Sequence, residues 1–312
     1  MRTLLKVAVA LAALATPLAL AAQTAPAPAP AATAPAKAAP VTMVDADPAL
    51  WVVKDKDTTI YLFGTIHVLK PGLSWFDEAV KKAFDKSDTL VLELVMPDPA
   101  AMQALVMKTG FTTSGPTLTE KLPEPDRTAY VKALTDLGIP PAALDRAKPW
   151  TAAINLSLIP VLKLGYDPNQ GPEHVLTEAA AAEHKPVIGL ETAEQQFSYF
   201  DTLPEPLQLK FLEMTVRDLP KTGTEINSMV ESWSKGDPEA LGRTLNEGMS
   251  EQPEIGKVLL SDRNARWATW IAERLKTPGT VFIAVGAGHL AGDQSVQAWL
   301  GKHHLKAERI PY

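Results

Sequence analysis

Four short apolar runs stand out against a largely helical pattern, and each meets a polar residue at or near its carboxyl end. The runs are IYLFGTI, LVLELV, VIGL and FIAVGAG; the polar residues are His67, Glu93, Glu191 and His289. Such runs, aliphatic and β-branched and bounded by turn residues, read as buried strands. Between the first strand, which starts at Thr58, and the second, Thr89 to Val95, the residues Phe76, Ala79, Val80, Ala83 and Phe84 recur at helical spacing. Ser74 and Asp77 supply a start signal for that helix. Two strands joined by a helix predict a right-handed crossover between parallel neighbours. Further on, GPEHVLTEAAAAEHKP predicts a helix before the strand Pro186 to Leu190, and Leu259 to Lys276 predicts a helix before the strand Val281 to Val285. A short helix with Trp299 and a last strand, LKAERI, complete the pattern. Pro97 to Leu164 and Pro204 to Glu254 read as helices and loops. The alternation predicts an α/β fold, a mainly parallel sheet in one piece or two halves, flanked by helices.

The chain opens differently. Arg2 and Lys6 precede an apolar run with Pro17 inside it and small residues at Ala19, Ala21 and Ala22. This is the pattern of a secretory signal peptide, predicted over residues 1–22. The run is shorter than the roughly 20 residues of a membrane span, so the mature chain is expected to be exported, periplasmic or secreted, without a span. Residues 23–45 are dominated by Ala, Pro and Thr, a composition that favours extended polyproline II and predicts a semi-rigid linker. Residues 46–312 are left as one α/β domain.

Composition narrows the chemistry. There are no cysteines, which excludes disulfides, thiolate catalysis, cysteine zinc sites and lipoprotein anchoring. The chain has 30 Lys and Arg against 36 Asp and Glu, a net charge of −6, and losing Arg2 and Lys6 with the leader makes it more acidic. An acidic chain without a basic stripe is not a nucleic-acid binder. No phosphate-cradling loop or Gly-x-Ser-x-Gly elbow occurs.

Ligands of open α/β sheets bind at the carboxyl ends of the strands, so the four polar residues predict a common crevice. His67 and His289 stand in two copies of Gly-x-x-His, after Gly64 and Gly286. A glycine there lets the backbone turn sharply or approach a ligand with no Cβ in the way. Two imidazoles and Glu93 would make a two-His, one-carboxylate site for a divalent ion, Mn, Co or Zn, with positions left open for water. Glu93 in an apolar strand must be metal-bound, protonated or paired with an arginine. Arg263 falls within the apolar stripe of Leu259, Leu260, Trp267, Trp270 and Ile271; it is expected either to anchor Glu93 or to act on substrate. His174 and His184 read as solvated helix surface, His303 and His304 as exposed, and Trp267, Trp270 and Trp299 as core.

IYLFGTIHVL, LVLELV, KPVIGLETAEQQ, LLSDRNARWA and VFIAVGAGHLAGDQSVQAWL, in that order, resemble the TraB/GumN family, whose relatives include the Tiki proteases. The resemblance implies a fold of the erythromycin esterase/ChaN-like group. It also implies that His67, Glu93, Arg263 and His289 match the family's motif positions, which Tiki-like members associate with metal-dependent peptidase activity. Glu191 falls in the GLET segment, and His303 and His304 stand where relatives often carry a glycine. The resulting expectation is a metal-dependent hydrolase, a peptidase, acting on a peptide or small amide or ester substrate. His67, Glu93 and His289 would hold the ion, with Arg263 on the oxyanion or a carboxylate and Glu191 as support behind them. The alternatives are a metal-free hydrolase with His67 as general base, and a non-catalytic protein that holds a peptide or haem in the same cleft.

Overall fold

A computed structural model describes residues 42–312, the side chains of residues 246–250 excepted. The predicted signal peptide and residues 23–41 of the predicted linker lie outside the described residues. The strands, in chain order, are β1 (Val44–Asp45), β2 (Leu50–Lys54), β3 (Thr58–Thr65), β4 (Leu73–Ser74), β5 (Thr89–Leu94), β6 (Val187–Glu191), β7 (Gly279–Gly286) and β8 (Glu308–Arg309). β1 runs parallel to β4, so the folded unit takes in the last residues of the segment predicted as linker.

The other six strands form one sheet in the order β6-β5-β7-β3-β2-β8. β6, β5, β7 and β3 are mutually parallel, and β2 and β8 add an antiparallel edge. The fold is therefore α/β with a mostly parallel, mixed sheet in one piece, flanked by helices. The expectation that β3 and β5 are neighbours is corrected: each pairs with β7, which lies between them. Crossover chemistry fixes handedness and parallel direction, but not which strand fills the gap. The most buried run, six consecutive buried residues from Val281 to Gly286, takes the centre. Among the described residues no helix is long and apolar enough to cross a membrane.

Side chains of a strand alternate between faces, and the parallel strands use both. Phe63, Leu90, Leu92, Phe282 and Ala284 pack against the helices Glu78–Asp85, Pro172–Ala182 and Thr222–Ser234 on one face. Ile60, Leu62, Val91, Val281, Ile283 and Val285 pack against the helix Asp262–Arg274, through Trp267, Ala268 and Ile271, on the other. Glu93 is two residues past Val91 and so points to the side of the sheet that carries Arg263. A third core, among the helices of residues 99–163 and 193–219, includes Leu94 at the end of β5. The helical layer thus abuts the carboxyl ends of the strands.

Candidate active site

Register brings the polar residues to one rim. Thr65 pairs with Gly286, and Leu94 with Glu191; His67 lies two residues past Thr65, His289 three past Gly286, and Glu93 one before Leu94. All four predicted strand-end residues are buried, as is Arg263, at 1% exposure. The glycines are needed for close approach. An ideal Cβ on Gly64 would lie 3.1 Å from Ala287, so the two Gly-x-x-His loops pack on one another. One on Gly286 would lie 3.1 Å from Glu93 Oε1, 3.6 Å from His67 Nε2 and 3.7 Å from His289 Cδ2. Both imidazoles and the carboxylate therefore surround one point at the end of the central strand.

Arg263 is the hub. Its Nε donates to Glu191 at 3.0 Å, and Nη2 to Glu93 Oε2 at 2.6 Å and Glu191 Oε2 at 2.7 Å. Nη1 donates to the Leu259 carbonyl at 3.3 Å and faces His289 Nε2 at 3.1 Å. A guanidinium has five N–H donors, and all five are engaged. Of the two roles predicted for Arg263, the geometry fits anchoring; a bond to an oxyanion would have to replace one already made. The plane lies over Trp267 at 4.8 Å. Just before it, Lys257–Ser261 forms a π-helical turn, a departure from regular helix that recurs at functional sites.

The carboxylates are held by further partners. Glu93 Oε1 accepts the Gly286 N–H at 2.6 Å. Burial disfavours its charge, but Arg263 first, then the histidines and that N–H, outweigh it and hold the carboxyl down at about 2. Glu191 also accepts from Gln196 at 3.0 Å and Tyr199 at 3.1 Å, so it braces Arg263 directly.

The two histidines differ. His289 Nδ1 is 2.5 Å from Asn264 Oδ1, while the same amide donates to the Gln294 carbonyl at 2.6 Å. Nδ1 therefore carries the proton, and the Nε2 lone pair accepts from Arg263. Burial foremost, aided by Arg263 and His67 against the pull of Glu93, lowers its pKa to about 3, and it stays neutral. His67 Nδ1 is 2.6 Å from Glu173 Oε1. Burial opposes its charge, but Glu173, by charge and hydrogen bond, and Glu93 together raise its pKa above the usual range. Its Nε2 has no hydrogen-bond partner among the described residues.

Donor types suit a divalent ion, but their placement does not supply three free ligands. His67 Nε2 and one lone pair of Glu93 Oε1 are free, whereas the His289 Nε2 lone pair faces a guanidinium. Among the described residues no group of three or more His, Cys, Asp or Glu is arranged to hold a metal.

Sequence reasoning passed over Glu173, Asn264, Thr65, Gln196 and Tyr199. The signal existed for two: Asn264 sits at helical spacing from Leu260 and Ala268, and Glu173 from Leu176 and Ala180, each in a buried stripe. Trp267, read as core, is also a wall of the site, its ring centroid 4.4 Å from that of His289. His174, His184, His303 and His304 are exposed and apart from it. A cleft of about 880 Å³, lined by Gly242, Arg243, Leu260, Ser261 and Gln294 among others, adjoins the loop after His289; the carbonyl of Gln294 on its wall accepts from Asn264, which in turn holds His289.

Among known proteins, the chain is 26% identical over 255 residues to the uncharacterized protein YbaP of Escherichia coli K12, covering 81% of this chain and 92% of that one. The YbaP of Shigella flexneri gives the same figures. An uncharacterized protein of Treponema pallidum is 21% identical over 288 residues, covering 86% of this chain and 84% of that one. No solved structure matches. The model of the TraB/PrgY/gumN family matches residues 49–309, nearly all of the described fold, and the chain belongs to that family.

Proposed function

We propose that the chain is an exported hydrolase that cleaves an amide or ester bond, a peptide bond foremost, with water as nucleophile and His67 as general base. The observation that carries this reading is the meeting of the His67 Nε2 lone pair and Glu93 Oε1 around Gly286 at the sheet's carboxyl rim. A water held by Glu93 would give its proton to His67 Nε2 as its oxygen adds to the carbonyl carbon. The protonated imidazole then returns that proton to the leaving nitrogen or oxygen as the bond breaks. Arg263 holds Glu93, and burial, with Arg263 adding to it, keeps His289 neutral. The neighbouring cleft is of a size that fits a short peptide, and the charged, apolar N-terminal pattern supports export.

A divalent ion shared by His67, Glu93 and His289 is the second reading, favoured by the donor types. It requires Arg263 Nη1 to withdraw from His289 Nε2. The test is turnover of a peptide library and of aryl esters by the purified chain and by His67→Ala, with and without chelator, alongside metal analysis. Turnover lost in His67→Ala and indifferent to chelator supports the first reading. Bound metal with chelator-sensitive turnover supports the second, and peptide or haem binding without turnover refutes both.

A further inference from the structure

Both imidazoles are held at Nδ1 by a helix residue that belongs to neither Gly-x-x-His loop. For His289 the holder is Asn264; for His67 it is Glu173, in the first turn of the helix Pro172–Ala182. We infer that Glu173 is a positioning residue that fixes His67 in its Nδ1–H tautomer and so delivers the Nε2 lone pair to the space beside Glu93. The inference rests on the reading in which His67 Nε2 acts on substrate.

Three features carry it. An ionised carboxylate only accepts hydrogen bonds, so the proton between Glu173 Oε1 and His67, 2.6 Å apart, belongs to Nδ1. The same oxygen accepts the Thr65 hydroxyl, which locks the carboxylate from within the first Gly-x-x-His motif. Third, the helix is pressed against the histidine's backbone: a Cβ on Gly171 would fall 2.3 Å from the His67 carbonyl oxygen. Only glycine lets the helix start close enough for Glu173 to reach the ring. A carboxylate or carbonyl behind a functional imidazole serves proton transfer and metal ligation alike, and losing it costs about 10- to 100-fold.

The test is long-range proton–nitrogen NMR of the full chain labelled at histidine, in alkaline solution, with His67 assigned by its loss in His67→Gln. Nδ1 of His67 should be the protonated nitrogen. Glu173→Ala should release the ring to the Nε2–H form and lower kcat about 10- to 100-fold with KM little changed. Glu173→Gln, whose Oε1 can accept both bonds, should restore the tautomer and most of kcat, and Gly171→Ala should behave like Glu173→Ala. A wild-type ring protonated at Nε2 overturns the inference, as does Glu173→Ala that keeps the Nδ1–H form or Glu173→Gln that fails to restore it. The tautomer is read without substrate: if it follows Glu173 as stated while the wild type turns over nothing, the hydrolase reading fails and the positioning stands.

Discussion

Replacing Arg263 with methionine removes one cation and leaves two carboxylates behind it. Glu93 and Glu191 both accept from the same Nη2, at 2.6 and 2.7 Å, in a place that is almost fully buried. Breaking a buried pair by deleting one partner typically costs about 3–5 kcal/mol. An independent route gives a similar size. The two stranded carboxylates, both within reach of Gln196, escape their mutual repulsion when one of them takes up a proton. Taking up a proton at pH 7 on a group whose ordinary value is 4.5 costs about 3.4 kcal/mol. Arg263→Met should therefore lose about 3–5 kcal/mol in urea unfolding at pH 7. Because its native state holds the extra proton, the deficit should shrink by about 1.4 kcal/mol per pH unit, or about 2 kcal/mol by pH 5.5. Adding Glu93→Gln and Glu191→Gln should recover more than half of it, since no charge is then left unpaired. A loss under about 1 kcal/mol at pH 7, or one equal at both pH values, refutes the account of Arg263 as the counter-ion of two buried acids.

Three further outcomes follow from the same geometry. His289 stays neutral in the fold down to about pH 3 against an ordinary value of 6.5, so below 6.5 the unfolded chain binds a proton that the native one does not, and stability falls as pH falls. His289→Gln should flatten the pH dependence of the unfolding free energy in urea between pH 6 and 4.5 by about 1.4 kcal/mol per unit; an unchanged slope contradicts it. Gly286→Ala places a methyl group 3.1 Å from Glu93 Oε1 and should cost about 1–3 kcal/mol by overpacking, with turnover lost; unchanged melting and activity contradict it. Trp233→Phe deletes the 2.7 Å hydrogen bond to the Gly64 carbonyl and should cost about 1 kcal/mol in the same unfolding assay.

What the sequence made legible was set by local periodicity. β3, β5, β6 and β7 were visible as apolar runs, and their polar ends marked His67, Glu93, Glu191 and His289 before any coordinates. Arg263 was visible because a charge in an apolar helical stripe has to be matched. The order of the strands was not legible, because β7 enters between β3 and β5 from almost two hundred residues away, and nothing local records that pairing. β2 was missed because LWVVK is short and borders a segment rich in Ala and Pro. Glu173 and Asn264 escaped for another reason: each is an ordinary helix residue until the partner imidazole is placed beside it. Periodicity places a side chain on a face, but only tertiary packing says what it meets there.

The insertion of β7 has a consequence for how the molecule comes into being. The last of the long strands to leave the ribosome goes to the middle of the sheet, not to its margin, and it brings both the glycine at the focus and the second histidine. A chain truncated before residue 279 would lack a centre, with its two remaining halves having no common partner. Competence should then arrive in one step, when the segment from residue 279 onward docks, and a stop before that residue should leave no partially working protein.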